Sequence, residues 1–335
     1  MGDRKKDHID MAFNSQINEL EIDHRFYYEP VLSAHPTGFS GTFMFAGKQQ
    51  KVPIWISSMT GGTIRAGSIN RNLARACNEF GMGMGLGSCR IILDDNSHFD
   101  DFDMRSIIGD DLPFFANLGI AQVEEIIDTR QTGKINNLLD KLKADGLIIH
   151  VNPLQEWFQP EGDRLKKSPL ETISSLLDKA KYPVIIKEVG QGMGYDSLKA
   201  LLQLPIEAIE FAAFGGTNFA ELELKRNVGL EKELFKPLAR IGHTALEMTD
   251  MVNHIISENK VKCKSLIVSG GIKDFLDGYY LIRKSHLPAI YGQASGFLKY
   301  AQGNYEVLRE HVQLQIKGLE LAFAYLRIKD SGVME

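Results

Sequence analysis

The feature that most constrains this chain is a rhythm. From Pro53 onward, eight short apolar runs alternate with longer segments of helical period. The runs are "PIWISSM" (53–59), "MGMGLGS" (82–88), "PFFANLG" (113–119), "LIIHVN" (147–152), "PVIIKEVG" (183–190), "AIEFAAFGG" (208–216), "SLIVSGG" (265–271) and "AIYGQA" (289–294). Between them lie amphipathic stretches such as "GSINRNLARACNEF", "KINNLLDKLKADG" and "PLETISSLLDKAK". A strand followed by a crossover, eight times over, predicts an α/β fold in the form of a (β/α)8 TIM barrel rather than a doubly wound sheet. Residues 53–335 would form the barrel domain, ending in an amphipathic helix over 303–327. Residues 1–52 read as an N-terminal arm capping the barrel mouth, with a small hairpin around "GTFMFAGKQQKVP".

The barrel makes a demand that the sequence can meet or fail: chemistry should collect at the carboxyl ends of the strands. In order, the eight runs end in "SSMTGG", "GSCR", "ANLG", "HVNPLQE", "KEVG", "GGTN", "SGG" and "GQAS". The fourth is the richest. Strand side chains alternate, so Ile148, His150 and Asn152 share one face, and Pro153 turns the chain out of the sheet. Gln155 and Glu156 then lie just past the strand end. In the fifth, Lys187 and Glu188 are adjacent, and a charge inside a barrel mouth needs a partner.

The last two loops, "SGGIKD" and "GQASG", are small and glycine-rich, as backbone donation to a phosphate requires. Either loop alone could simply end a strand; both together, after strands seven and eight, point to a phosphate-anchored cofactor. Glycines at 81, 83, 85 and 87 do not match a dinucleotide fingerprint, which needs a third glycine where Leu86 or Ser88 stands. They leave one strand face bare, suited to close packing or to a flat ligand. Ser88 and Arg90 follow at the exit, where arginine suits a phosphate or carboxylate. Arg4, Lys5 and His8 in "RKKDHI" are either a solvated tail or, folded over the mouth, a source of positive charge. Glu156 is the candidate ligand for Mg2+, a hard cation that takes a carboxylate plus substrate phosphate oxygens. No His/Cys cluster suggests zinc, and Cys89 lacks an adjacent base and reads as inert.

Composition narrows the setting. Lys+Arg 38 against Asp+Glu 43 leaves a net charge of −5, so no global attraction to nucleic acid or membrane is expected. Three widely spaced cysteines argue against a disulfide framework and for a reducing compartment. "MGDRKKDHIDMAF" has no apolar signal-like core, Lys6 breaks the myristoylation pattern, and no apolar run approaches a membrane span. A cytoplasmic protein is the expectation.

Taken in order, "RKKDHI", "SSMTGG", "GSCR", "ANLG", "IHVNPLQE", "KEVG", "GGTNFAELE" and "SGGI" resemble the type 2 isopentenyl-diphosphate isomerases. The resemblance runs from residue 4 to about 298, and the HxNxxQE element is specific to that family among flavin barrels. It implies an FMN-binding barrel that uses Mg2+ and interconverts isopentenyl and dimethylallyl diphosphate. It also implies that the flavin must be reduced, typically by NAD(P)H. Carried over by motif, Ser58, Met59, Thr60, Ser88, Asn117, Lys187 and Thr217 would surround the ring and ribityl chain. Gly270, Gly271, Gln293 and Ala294 would hold the FMN phosphate. Arg4, Lys5, His8, Ser88, Arg90, His150 and Asn152 would face the substrate diphosphate, and Glu156 its Mg2+. Gln155 and Glu223 would lie near the reacting carbons, with reduced flavin N5 the leading candidate for moving the proton. Lys187 beside flavin N1 would favour an anionic reduced ring. A homo-oligomer, tetramer or larger, is the expected assembly.

Two departures from the family pattern matter. Phe219 stands where the family often has Trp, which keeps a flat apolar wall and should change little; "IGHTALE" places His243 where an Ile-Pro pair is common, so the loop of roughly 217–243 is where this chain departs most from the pattern. Two other readings compete. An FMN-dependent 2-hydroxy-acid oxidase would share the phosphate loops but needs a His-Gly-Gly-Arg element, where this chain has Phe214, Gly215, Gly216 and Thr217. A non-catalytic flavin-binding sensor would have no use for Gln155, Glu156 and Lys187.

Overall fold

A computed structural model of the chain describes residues 2–39, 41–58, 62–227 and 229–329. An edge strand, β1 (Phe26–Tyr28), precedes a hairpin of β2 (Phe43–Phe45) and β3 (Lys48–Gln50). Phe45 pairs with Lys48, leaving Ala46 and Gly47 as a two-residue loop with φ of 50° and 76°. Two successive left-handed residues make the turn whose twist matches its strands, and glycine is what makes the second of them free of strain.

The eight apolar runs all become strands: β4 (Ile54–Ile56), β5 (Gly83–Gly85), β6 (Phe114–Gly119), β7 (Gly146–His150), β8 (Val184–Lys187), β9 (Ala208–Glu210), β10 (Ser265–Ser269) and β11 (Ala289–Gln293). They close a parallel barrel in which β11 pairs with β4, with helices between the strands. Most strands are shorter than their runs because the small and polar tails leave the ladder to build the mouth. One set of alternating residues, Trp55, Phe115, Ile148, Ile185, Ala208, Ile267 and Ile290, fills the barrel interior. Their neighbours Ile54, Leu147, Ile149 and Ile186 face outward into the layer beneath the helices. The bare glycine face belongs to the interior, and packing is its role. A Cβ on Gly83 would lie 2.6 Å from the Trp55 ring, and one on Gly85 2.4 Å from Ile148 Cδ1.

The expectation that the arm caps the mouth needs correcting for its hairpin, residues 43–50. The hairpin seals the opposite, amino-terminal end, because that end offers an apolar opening. Phe45 enters there, with its ring 5.3 Å from Trp55. Gln50 Oε1 accepts from the N–H of Gly83 at 3.1 Å, and Lys48 Nζ reaches Asp145 Oδ1 at 2.6 Å. Both partners lie at strand starts, not strand ends. Ahead of the hairpin, β1 pairs antiparallel with the last strand, β12 (Leu326–Ile328), which follows the long helix Tyr305–Tyr325. The first helix, Gly2–Met11, and all residues from 4 to 24 stand exposed. No described helix is long and apolar enough to cross a membrane.

Candidate active site at the barrel mouth

A cavity of about 320 Å³ opens among the carboxyl ends of β4, β8, β9, β10 and β11. Of the residues expected around a flavin, Ser58, Lys187 and Thr217 line it, and so do Gly270, Gly271, Gln293 and Ala294 from the two phosphate-type loops. Phe219 supplies an apolar wall. Gly270 and Gly271 take φ of 86° and 72°, and a Cβ on Gly270 would lie 2.1 Å from Ala213 N. Only glycine therefore allows this loop to cross so close to the end of β9. Gln293 Nε2 donates to Ile272 O at 3.1 Å and ties the two loops together. The buried hydroxyls of Ser57 and Ser58 have no hydrogen-bond partner within the described protein. Such orphans beside a glycine cradle suit a polar, phosphate-bearing ligand. Met59 and Thr60 lie outside the described residues. Ser88 is exposed and absent from the cavity lining.

Charge is concentrated beneath this cavity. Lys187, 6% exposed, donates from Nζ to Glu188 O at 2.8 Å. The Glu188 carboxylate collects three backbone N–H groups, from Gly190, Gln191 and Gly192, at 2.6–2.9 Å. Burial raises its affinity for a proton, and those donors pull the other way. His150 Nδ1 lies 2.7 Å from Asn117 Oδ1, while Asn117 Nδ2 donates to Leu86 O at 3.0 Å. That arrangement puts the histidine proton on Nδ1. Burial, and then the neighbouring Lys187 charge, hold the His150 pKa at about 3, so the ring is neutral near pH 7. Glu210, which the motifs do not single out, is fully buried, pairs in register with Lys187 and lines the same cavity. Its signal in the sequence is an acid at an inward position of the run "AIEFAAFGG".

The polar turn after β7 is a compact network. Pro153 opens the helix Pro153–Phe158, with Asn152 as its N-cap. Asn152 Nδ2 donates to Gln155 Oε1 at 3.1 Å and to Glu156 Oε1 at 3.0 Å, while Asn152 Oδ1 is buried without a partner. Glu156 Oε2 accepts from Asp163 N at 2.8 Å. Asp163 in turn receives Arg90 at 2.9 Å and Gln122 at 3.1 Å. Arg90 and Glu156 are thus brought together through an aspartate that no motif marks. Among the described residues no group of three or more His, Cys, Asp or Glu could hold a metal. A cation at Glu156 would need oxygens from elsewhere.

Gln155 lines a second, larger and mainly apolar cavity of about 600 Å³, together with Asn152, Val189 and His243. Val189 also lines the glycine cavity, so the two adjoin. Glu223 is buried on the helix Phe219–Arg226, and its Oε2 accepts from Arg226 at 2.6 Å. It lines neither cavity. Arg4, Lys5 and His8 make no hydrogen bond or ion pair among the described residues, so this single chain does not bring them to the mouth. Cys89 is buried, and its thiol is pushed up to about 12 by desolvation, which agrees with an inert cysteine.

The fold has solved counterparts. A flavocytochrome b2 variant with sulfite bound superposes with a TM-score of 0.62 at 13% identity, over 90% of this chain and 72% of that one. A mandelate oxidase variant carrying a monooxide FMN adduct gives 0.58 at 13% identity, over 92% and 88%. At that identity the likeness concerns the barrel alone. No family model matches the sequence. Curated relatives do. The isopentenyl-diphosphate delta-isomerase of Rickettsia felis is 33% identical over 95% of this chain and 91% of its own length. That of Rickettsia typhi is 32% identical over 95% and 92%. Identity at this level across nearly both full lengths, on a closed barrel with its polar groups gathered at the mouth, places the chain in the isopentenyl-diphosphate delta-isomerase family.

Proposed function

We propose that this enzyme interconverts isopentenyl and dimethylallyl diphosphate by an allylic proton shift, using reduced FMN and Mg2+. The observation that carries the reading is the convergence of Lys187 with the loops at Gly270–Gly271 and Gln293–Ala294 on one glycine-lined cavity. A phosphate fits those loops, and the orphan Ser57 and Ser58 hydroxyls would find partners on a bound ribityl chain or ring. Bound and reduced, FMN supplies an electron-rich ring able to hold and return a proton at N5; NAD(P)H is the proposed physiological reductant.

The protein's own groups divide the remaining work. Lys187 stabilises negative charge on the ring. Glu156 would be the protein's ligand for Mg2+, a hard cation that a single carboxylate can serve when the substrate supplies further oxygens. Arg90 and Asn152 address the diphosphate, and His150 joins them once the anion draws a second proton onto its ring. Gln155 stands on the turn beside the mouth and positions the five-carbon tail. Glu223 is kept in this reading as the candidate acid near the reacting carbons, with its carboxylate held by Arg226. Protonating an unactivated alkene creates a cation-like centre, so water must be kept out. Remote binding of the diphosphate supplies energy for that enclosure.

The exposed first helix completes the site if another copy of the chain receives it. Ile9, Met11, Phe13, Ile17 and Leu20 are all more than half exposed, which is costly for an isolated chain. A homo-oligomer, tetramer or larger, in the reducing cytoplasm is part of this reading. The decisive assay compares oxidised with dithionite-reduced enzyme under anaerobic conditions. Isomerisation should appear only after reduction and require FMN. Equal rates in both states, or full activity without flavin, would sink the proposal.

A further inference from the structure

Glu210 is unlike the other acids of the barrel. Asp145 is satisfied by Arg105, Lys48 and the Phe114 N–H. Glu156 has two donors and Glu188 three. Glu210, 0% exposed, has one long contact, from Ser269 Oγ to Oε1 at 3.4 Å, and its Oε2 has no partner. It borders the mouth cavity next to Lys187. The groups facing it are few. β8 contributes Lys187, β10 contributes Ile267 and Ser269, and β4 contributes Trp55 and Ser57, whose Nε1 and Oγ face the carboxylate too loosely for a formed hydrogen bond yet favour its charged form against the desolvation that raises its proton affinity. Across the barrel His150 is neutral, Lys273 stands at the exposed rim, and Glu188 is tied to its own loop.

Resting on the FMN reading above, we propose that Glu210 takes up a proton when the bound flavin is reduced and so keeps the net charge of the mouth constant. Around a neutral oxidised ring, cationic Lys187 and anionic Glu210 cancel. Two electrons from dithionite or a nicotinamide hydride donor, with one proton at N5, leave the ring with one negative charge. A second buried anion beside Glu210 is expensive, since like charges in a water-poor site raise each other's proton affinity. The second proton, drawn from solvent, goes to the open Oε2, and Lys187 is freed to pair with the ring. The whole change consumes two electrons and two protons.

The test is the midpoint potential of the FMN holoenzyme against pH, with the spectrum of the reduced state recorded alongside. For a two-electron couple a tenfold change in proton concentration is worth about 30 mV per proton taken up. Wild type should shift by about 60 mV per pH unit with an anionic reduced spectrum, and Glu210→Gln by about 30 mV. Reduced-minus-oxidised infrared difference spectra of wild type should show a protonated-carboxyl C=O stretch. This readout still decides the matter if the variant fails to hold flavin. A wild-type shift of about 30 mV, a neutral reduced ring, an unaltered slope in Glu210→Gln, or no carboxyl band each overturns the inference while FMN binding stands. Failure of wild type to bind FMN overturns both readings.

Discussion

The two ends of this barrel are built on opposite principles. At the amino-terminal end the buried charges of the described residues are answered, although Gln50 Nε2 there has no partner. Arg105, 5% exposed, bonds Asp145 Oδ2 at 2.9 Å, and its other nitrogens donate to the carbonyls of Lys143, Gly109 and Leu112. Lys48 takes the other Asp145 oxygen, and Phe45 closes the opening. At the carboxyl end, Asn152 Oδ1, Ser57 Oγ, Ser58 Oγ and Glu210 Oε2 are all buried and without partners. The first end holds the barrel shut, whereas the second stores polar groups awaiting something that the protein alone does not supply. A substitution should therefore move stability at one end and turnover at the other.

The largest effect should come from the closed end. Asp145→Ala strips Arg105 of its carboxylate and leaves a buried guanidinium with three carbonyl acceptors but no counter-charge. Breaking a buried pair in this way costs about 3 kcal/mol, the lower end of the usual range because Asp145 itself keeps some solvent contact. Denaturant unfolding should show the loss, with kcat of the surviving folded enzyme near that of wild type. A collapse of kcat at preserved stability would mean that the two ends are not separable.

How far the sequence discloses this division depends on what periodicity can say. Alternation determines which residues of β7 and β8 face inward, and by itself it puts His150 and Lys187 in the mouth. The Ala-Gly pair at 46–47 marks the hairpin, yet a hairpin's pattern does not say which end of a barrel it meets. The choice comes from Phe45 and Gln50 finding Trp55 and the Gly83 N–H, contacts distant in sequence. Glu210 is easily passed over, because one acid in an apolar run reads as an interruption. Its meaning comes from Lys187 across the ladder. Residue type alone makes His150 a cation for diphosphate, a role that burial opposes until an anion is present. Asp163 carries no motif at all, and only the folded loop brings it between Arg90 and Glu156.

The next effect belongs to the open end. Gln155 is held by Asn152 rather than buried in packing, so Gln155→Leu should leave unfolding free energy almost unaltered. If Gln155 positions or relays, kcat should fall by about 100-fold, the usual scale of a lost acid–base or positioning group. Substrate KM should change little, because the proposed diphosphate contacts are Arg90, Asn152 and Glu156 rather than Gln155. Steady-state kinetics at matched flavin content would settle it. Near-native kcat would confine Gln155 to the larger apolar cavity and remove it from the reaction.

The smallest effect tests the open end by pH. His150 has a folded pKa of about 3 against an ordinary 6.5, with burial the larger cause and Lys187 the second. Well above pH 6.5 the ring is neutral in both states and contributes no pH dependence. As pH falls through the window from 6.5 towards 3, the unfolded chain binds a proton that the native barrel refuses, and stability drops. His150→Gln removes the titrating group while keeping a polar side chain near Asn117. Its melting temperature should sit slightly below wild type at neutral pH, through the disturbed contact with Asn117, but decline less steeply on acidification. Asp145→Ala, at the other end, should leave this contribution of His150 in place. Parallel acid profiles for wild type and His150→Gln would mean that water reaches the ring in solution. The contrast between a closed end and an unsatisfied, water-poor mouth would then need to be redrawn.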